Sequence, residues 1–475
     1  MDHFEGLWAQ ARIAFKQNRT AQRARKIAYG ALTCLGRHTL TGMLTASGHQ
    51  FVDWSAAYRL FGHSRMDIDH IFKVARQGVL QEIGDQEPLV AHIDDTILRK
   101  RGRNIHGASW RRDPLGPPFH SNFIWGQRFV QISMALPEDK GPARARAIPI
   151  DLAHCPSAKK PPKNAGEDDW KAYREKQKQM KLSKCGSNRI EMLRQHLDNE
   201  GVEGRELIVS ADGSYTNKEI LKQLPQGVTF VGRIRKDAKL YSIPTQNHEG
   251  VGRKRVYGDR LPTPEQIRQS SNYQWQKVNA WAAGKVHEFQ IKVIDKVRWR
   301  AAGEKHNLRL IVIRPLGYRL SKKSRILYRQ PAYLICTNTD LNIEKLLQAY
   351  LWRWEIEVNF RDEKTLLGCG EAQVRKQPSV ESVPAFIVAM YAFLLLAAHR
   401  ASKNGEKITI PRPRWYPRKK NQRLTTSEIV NLLRTEMWTK ALGSNFSGFL
   451  NKQKHLRSQR YTANSPISAI AYMRK

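Results

Sequence analysis

The sequence predicts a mixed α/β protein in which strands form one sheet and helices lie on its faces. Residues 88–152 contain three runs rich in β-branched and aromatic residues, bounded by Gly, Pro or charged residues, which predicts an antiparallel meander. Residues 206–234 then alternate between strand, helix and strand patterns. Strands followed by such an alternation are typical of a mixed sheet that is covered by helices.

Regions of different pattern flank this sheet and predict five segments. Apolar residues at helical spacing predict short helices in the first segment, compatible with a DNA-binding module of helix-turn-helix type. The predicted segments are a helical DNA-binding domain (1–85), the first part of the core (86–234), a β-rich insertion (235–338), the last part of the core (339–402) and a basic C-terminal region (403–475). The aromatic residues expected in the core of the first segment are Trp8, Phe15, Phe51, Trp54, Tyr58 and Phe61.

The helices of the later segments have recognisable ends. Residues 170–199 and 342–367 each predict one long helix, and an apolar helix over 385–399 is predicted to be capped by Ser382 with Pro384 in its first turn. Thr425 and Glu428 have the spacing of a capping box that opens a last helix.

The charge of the chain predicts a polyanionic partner. Across 475 residues, 81 Lys and Arg face 43 Asp and Glu, which leaves a net charge of +38 at pH 7. Repulsion on this scale opposes compact folding, and it is typical of proteins whose basic residues neutralise phosphates. Because the basic runs are spread along the chain, we expect an extended nucleic-acid footprint. Ribosomal, chromatin and nucleic-acid-processing proteins all remain open at this point.

Cysteine usage and hydropathy indicate a cytoplasmic protein. The five cysteines are far apart and form no Cys-x-x-Cys pair, so we expect them to be reduced and not to bind zinc. The first residues lack the apolar core of a signal peptide, and the longest apolar run, residues 385–398, is shorter than a bilayer span. Neither secretion nor membrane insertion is predicted.

Two strands end in aspartates that are candidates for metal binding. Asp95 follows Asp94 near the end of the first strand, and Asp212 ends the strand of residues 206–212, where Gly213 and Ser214 allow the chain to turn away. Ligand sites collect at the strand ends of α/β sheets. Each aspartate alone is also typical of a turn, but two of them in so basic a chain favour a metal site.

A third carboxylate is predicted on the helix of residues 342–367. At about 100° per residue, Tyr350, Arg353, Glu357 and Lys364 fall within a band of about 60° on one face. Glu355, Asp362 and Glu363 point elsewhere and are expected at solvent or salt-bridge positions. An ordinary helical ion pair between Glu357 and Arg353 or Arg361 is the alternative interpretation.

This pattern, Tyr350-x2-Arg353-x3-Glu357-x6-Lys364, resembles the Tyr-Arg-Glu-Lys signature of one group of DDE transposases of bacterial insertion sequences. The resemblance spans about residues 85–400 and implies an RNase H-like core, a mixed five-stranded sheet interrupted by a β-rich insertion. It implies that Asp95, Asp212 and Glu357 hold two Mg2+ or Mn2+ ions for cleaving transposon ends and joining them to target DNA. Asp94 departs from the pattern and leaves the choice of first aspartate open in principle; Asp95, followed by a threonine, is the predicted ligand.

The resemblance also implies DNA contacts and partners. Tyr350, Arg353 and Lys364 match residues that hold the DNA end, and Tyr333 lies where relatives carry an aromatic that stacks a flipped base, although its strand could equally bury it. The expected partners are double-stranded DNA and a second copy of the chain in a synaptic complex, in the bacterial cytoplasm. A transposase-derived DNA-binding protein without catalysis and a structure-specific nuclease are the alternatives.

Overall fold

The computed structural model describes most of the chain before the basic C-terminal region. The described residues are 1–405, 414–415 and 423–438, apart from 50, 52, 64, 114–115, 118, 121, 140, 245–254, 304–305 and 320–323. Most of the predicted C-terminal region, 403–475, therefore lies outside the described residues.

Residues 1–85 are helical, as predicted. The helices are α1 (Asp2–Ala11), α2 (Asn18–Thr33), α3 (Leu40–Ala46), α4 (Ser55–Gly62) and α5 (Ile68–Leu80), with one 3-10 turn at Arg12–Ala14. Gly30 of α2 packs directly on α3, where an added Cβ would lie 2.0 Å from the carbonyl oxygen of Met43. Phe51, 92% exposed in a turn, and Tyr58, on the outer side of α4, are not in the core as expected.

The predicted antiparallel meander is confirmed. The strands are β1 (Leu89–Arg99), β2 (Ser109–Arg112), β3 (Phe123–Pro137) and β4 (Ala145–His154), and β3 pairs antiparallel with the other three. The single helix predicted next is two helices, α6 (Glu167–Gln179) and α7 (Leu182–Asn199). None of the described residues of α6 is buried, whereas α7 buries Ile190, Leu193 and Leu197, so only α7 packs on the sheet.

Parallel strands extend the sheet from β1. β5 (Leu207–Ala211) pairs in parallel with β1 and with β6 (Val228–Arg233), and α8 (Lys218–Leu221) connects β5 to β6. The mixed α/β class is therefore confirmed, with antiparallel pairs on one side of β1 and parallel pairs on the other.

Most strands of the predicted insertion continue this same sheet. The elements are β7 (Leu240–Tyr241), α9 (Pro264–Gln269), β8 (Gln276–Ala282), β9 (Lys285–Trp299), β10 (Leu308–Ile313), β11 (Gly317–Tyr318), β12 (Leu327–Tyr328) and β13 (Ala332–Cys336). β13 pairs antiparallel with β6, so among the described residues one sheet has eleven strands, ordered β2-β3-β1-β5-β6-β13-β10-β9-β7 with β4 on β3 and β8 on β9. The pairing satisfies the backbone groups that β6 would otherwise leave at an open edge.

Four helices complete the described fold. They are α10 (Ile343–Trp352), α11 (Trp354–Thr365), α12 (Gln377–Lys403) and α13 (Thr426–Trp438). The predicted long helix is thus divided at Arg353. α12 begins before Ser382, with Pro378 in its first turn and Pro384 inside it, and the Ser382 hydroxyl donates to the Pro378 carbonyl within the helix instead of capping it. The capping box of Thr425 and Glu428 is confirmed.

α12 forms the centre of the hydrophobic core. It packs against α1, α5 and β4, so the N-terminal helices and the sheet share one apolar cluster. By length and composition α12 could cross a membrane, but 83% of its most apolar window is buried inside the structure. This burial is what a central helix of a globular core requires.

Candidate active site

Asp94 and Asp212 come together because of the pairing of β1 with β5. These strands are parallel with Ile93 opposite Ala211, so the residues that follow each of them lie side by side at the same end of the sheet. Two residues earlier, Nδ1 of His92 lies 2.7 Å from Oγ of Ser210. Side chains alternate along a strand, and Asp94 and Asp212 therefore share the face that carries His92 and Ser210.

Arg353 links this face to Glu357 on α11. Its Nη1 donates to Oδ2 of Asp94 at 3.1 Å, and its Nη2 donates to Oε1 of Glu357 at 3.3 Å. One guanidinium thus holds a strand carboxylate and a helix carboxylate together. The ion pair between Arg353 and Glu357 is the one expected as an alternative interpretation of the helix, but its second branch to Asp94 makes it part of a larger carboxylate cluster.

Asp95 has different contacts. Its Oδ2 lies 3.2 Å from Nε of Arg128, and its Oδ1 accepts a hydrogen bond of 3.2 Å from the Tyr215 hydroxyl. Because consecutive residues of a strand point to opposite faces, Asp95 faces away from Arg353. The aspartate that bonds to Arg353 is Asp94, and the assignment of Asp95 as the metal ligand stays a prediction. Neither Arg128 nor Tyr215 was predicted, since only the register of β1 with β3 brings Arg128 to Asp95.

The surroundings of these carboxylates disfavour their ionised forms and raise their pKa values. Burial and the neighbouring charge of Asp212 raise the pKa of Asp94 to about 7, against the opposing effect of Arg353. Burial also raises the pKa of Glu357, again opposed by Arg353 and reinforced by Asp212. For Asp95, burial raises the pKa, Arg128 opposes the rise and the charge of Asp212 adds to it, so Asp212 acts on both aspartates of β1. A bound cation would relieve these effects.

Asp212 lies beyond the end of β5 in a tight turn. Its Oδ1 accepts from the backbone N–H of Ser214 at 2.8 Å, and its carbonyl accepts from the Thr216 hydroxyl at 2.8 Å. These bonds fix the turn, as the Gly-Ser sequence after Asp212 predicted.

Tyr350 and Lys364, the other two residues of the predicted helix face, have different surroundings. The Arg353 guanidinium lies 5.9 Å from the centre of the Tyr350 ring, so Tyr350 adjoins the carboxylates. Lys364 is exposed farther along α11, with its Nζ 5.9 Å from the centre of the Phe360 ring. The structure therefore leaves Lys364 open to solvent, and its predicted DNA contact stays a prediction.

The expectation for Glu363 is wrong, whereas Asp362 has the salt bridge that was expected, with its Oδ1 2.9 Å from Nη2 of Arg361. Asp362 and Glu363 are buried, and Oε1 of Glu363 accepts a hydrogen bond of 3.0 Å from Gln131. Burial raises the pKa of Glu363 to about 8. The helical wheel separated these residues from Glu357 correctly, but α11 packs on the sheet with the side that carries them.

Tyr333 is not available for base stacking in this structure. It is 3% exposed on β13, and its hydroxyl donates to Glu265 of α9. The sequence prediction of a stacking role is therefore not supported, because α9 covers the strand face on which Tyr333 lies.

The donor set fits hard divalent cations. Asp94, Asp212 and Glu357 offer only carboxylate oxygens, which Mg2+ and Mn2+ prefer. Burial is the main cause of the raised pKa values of Asp94 and Glu357, and the charge of Asp212 adds to it. The three residues lie on β1, in the turn after β5 and on α11, a helix that also carries basic residues. Among the described residues, the group whose ligand atoms all lie within 4.8 Å of one another is a different one, His106, His154 and Glu381.

A comparison with protein families bears on this arrangement. The model of the family described as DDE superfamily endonuclease matches residues 13–301, which is more than half of the chain. The match includes Asp94, Asp95 and Asp212 and ends before α11, which carries Glu357. No curated protein matches the chain. On the family match and the carboxylate cluster, the chain belongs to the DDE superfamily of endonucleases.

Proposed function

We propose that this endonuclease is a DNA transposase of the bacterial insertion-sequence group with the Tyr-Arg-Glu-Lys signature. It would cut transposon ends and join them to target DNA. The observation that carries the proposal is the bridge from Arg353 to Asp94 and Glu357, because it unites the signature helix with the strand ends that bear the aspartates. DDE nucleases generally use divalent metal ions.

The strand order supports an RNase H-like core. The five strands β4, β3, β1, β5 and β6 lie side by side, with antiparallel pairs on one side of β1 and parallel pairs on the other. They supply the mixed five-stranded sheet that the resemblance implies. The strands of residues 235–338 would then be the insertion, attached through β13 to the edge of that core.

We assign the first metal-binding carboxylate to Asp94 in place of Asp95. Asp94 shares its sheet face with Asp212 and shares Arg353 with Glu357, whereas Asp95 is paired with Arg128 on the other face. The Asp-Thr motif of the resemblance matches Asp95 and Thr96, so the proposed assignment to Asp94 departs from that motif. Asp95 would then position Arg128 and Tyr215 beside the site.

The residues of the chain would divide the work of phosphodiester chemistry. Two divalent ions held by Asp94, Asp212 and Glu357 would supply activation of a water or 3'-hydroxyl and stabilisation of the leaving oxygen. Arg353 holds Asp94 and Glu357 in place before DNA binds, and its guanidinium suits bidentate contact with phosphate. Tyr350 orients Arg353 from one side, and Lys364 would contact the DNA backbone.

The partners follow from the same proposal. A net charge of +38 suits a long DNA footprint that includes both transposon ends and target. Joining two ends requires a synaptic complex, in which we propose a homodimer. The protein would act in the bacterial cytoplasm, on the nucleoid. We propose the helical residues 1–85 as a DNA-binding region that is packed on the core rather than tethered to it.

The test is cleavage and joining of DNA by the purified full-length protein. The substrate is a plasmid carrying the chromosomal DNA that flanks the gene on each side, with Mg2+ or Mn2+. Asp94→Asn, Asp212→Asn and Glu357→Gln should each reduce cleavage at least about 1000-fold, because losing about 4 kcal/mol of transition-state stabilisation has that effect. DNA binding by gel shift should remain.

Asp95→Asn is the matched control, since it removes the adjacent carboxylate and keeps the same side-chain shape. We expect this variant to retain far more cleavage than Asp94→Asn. The reverse order would return the ligand role to Asp95. Binding without cutting by the wild type would favour a transposase-derived DNA-binding protein, and cutting without joining would favour a structure-specific nuclease.

A further inference from the structure

A second group of possible metal ligands lies outside the carboxylate cluster. His106 is in the loop between β1 and β2, His154 is the last residue of β4, and Glu381 is in the second turn of α12. One ligand atom from each residue lies within 4.8 Å of the other two. The three residues are far apart in the sequence, and none of them belongs to the group formed by Asp94, Asp212 and Glu357.

His154 is held rigidly and lacks hydrogen bonds. Its side chain is 2% exposed, and among the described residues neither ring nitrogen has a hydrogen-bond partner. Phe129 stacks on the ring with centroids 4.9 Å apart, and Gly107, at φ +70°, approaches so closely that a Cβ would lie 2.3 Å from Cε1. A buried polar group without a hydrogen bond destabilises the folded state by about 1–3 kcal/mol, so the ring nitrogens of His154 need a partner.

The nearest carboxylate does not supply that partner by itself. Oε1 of Glu381 lies 3.6 Å from Nδ1 of His154, which is too long for a hydrogen bond. The His106 ring is 6.0 Å away, centre to centre, and meets the His154 ring edge-on. Both His106 and Glu381 thus point toward the same buried imidazole without bonding to it.

We propose that His106, His154 and Glu381 bind a Zn2+ ion, with water as the fourth ligand. Two imidazoles and one carboxylate are a donor set that zinc accepts and that differs from the all-oxygen set of the carboxylate cluster. Ligands at zinc distances are about 3.4 Å apart in a tetrahedron. His106 is exposed and the Glu381 side chain is 41% exposed, so these two can close the remaining gap around the fixed His154.

The protonation of His154 is compatible with this role. Burial, together with His106, Arg111 and Lys100, lowers the pKa of His154 to about 4, so the ring is neutral at pH 7, as a ligand must be. Lys100 and Arg111 are each bonded to a backbone carbonyl, of Gly370 and Cys155. Of the three proposed ligands, Glu381 supplies the one carboxylate.

Zinc at this position would serve the structure. It would fasten the loop after β1, the strand that bears Asp94, to the central helix α12. Because the site lies on a loop that leads away from the carboxylate end of β1, we infer a structural ion that limits movement of that loop, with no part in bond cleavage.

Zinc binding by the full-length protein tests this proposal. The protein is freed of metal by chelation, supplied with excess Mg2+, and titrated with Zn2+ against a competing chromophoric chelator. We expect one tight Zn2+ per chain, and Co2+ in its place should give the visible absorption of a tetrahedral site. His106→Ala and Glu381→Gln should weaken Zn2+ binding at least about tenfold. Removing a residue that hydrogen-bonds to a metal ligand already weakens binding by about this factor, and removing the ligand itself should weaken it more.

Matched variants separate this site from others. His120→Ala removes an exposed histidine from another loop and should bind Zn2+ as the wild type does. Asp212→Asn should also retain the ion, because it alters only the carboxylate cluster. Zn2+ should raise the unfolding temperature of the wild type and of these two variants, but not of His106→Ala. Absence of a tight Zn2+ in the wild type, unchanged affinity in His106→Ala and Glu381→Gln, or loss in Asp212→Asn would each overturn the proposal.

Discussion

Replacing Asp94 by asparagine should stabilise the protein above neutral pH while it abolishes cleavage. The Asp94 side chain is 16% exposed, and its pKa of about 7 compares with an ordinary value of 3.8. A pKa raised in the folded state means that the free energy of unfolding falls as pH rises from about 4 to about 7. A difference of about three pH units corresponds to about 4 kcal/mol, so Asp94→Asn should be up to about 4 kcal/mol more stable at pH 8.

Urea denaturation at pH 4.5 and pH 8, in the presence of EDTA, measures this effect. The wild type and the Asp94→Asn variant should differ by only about 1 kcal/mol at pH 4.5, where Asp94 is largely protonated in the folded state and already largely ionised in the unfolded state. In a parallel series with Mg2+ in place of EDTA, the wild type should gain stability at pH 8 and the variant should not, because the variant lacks one of the ligands. Asp139→Asn, at an exposed bend, is the control and should leave the stability unchanged at both pH values. If Asp94→Asn is less stable than the wild type at pH 8 in EDTA, the carboxylate is not in the electrostatic environment described here.

Three further predictions follow from buried side chains. Burial raises the pKa of Glu363 to about 8, so Glu363→Gln, which still accepts from Gln131, should be more stable than the wild type at pH 9 and equal to it at pH 4 by urea denaturation. Tyr333→Phe removes the hydrogen bond to Glu265 and should lower the free energy of unfolding by about 1 kcal/mol. Its DNA affinity in a gel shift should be unchanged, and weaker DNA binding would return Tyr333 to the DNA interface. Arg76→Met should lose about 3–5 kcal/mol in the same denaturation assay, because it leaves the buried carboxylate of Glu200 without its ion pair, and a loss below about 1 kcal/mol would contradict that burial.

Local patterns were sufficient for the elements and for part of the site. Runs rich in β-branched and aromatic residues located β1, β3 and β4, and the Gly-Ser after Asp212 located a strand end. The spacing of Tyr350, Arg353 and Glu357 placed them on one side of a helix even though α10 and α11 are separated at Arg353, because that residue keeps helical dihedral angles. These features depend on neighbours in sequence.

Features that depend on pairing between distant segments could not be predicted in the same way. Asp94 and Asp95 both lie in β1, and only the register with β5 and the position of α11 decide which of them meets Glu357. The burial of Tyr333 and Glu363 has the same origin, since sheets covered on both faces do not show a simple polar and apolar alternation. The cluster around His154 joins three segments with no common motif.

The central claim is that Asp94, Asp212 and Glu357 bind divalent cations together. A crystal structure of the full-length protein soaked in Mn2+, with the ions located by anomalous scattering, tests it most directly. The account predicts Mn2+ within coordination distance of carboxylate oxygens of all three residues, with Asp95 still paired with Arg128. Mn2+ bound by Asp95 instead of Asp94, or no Mn2+ between β1, β5 and α11, would contradict it.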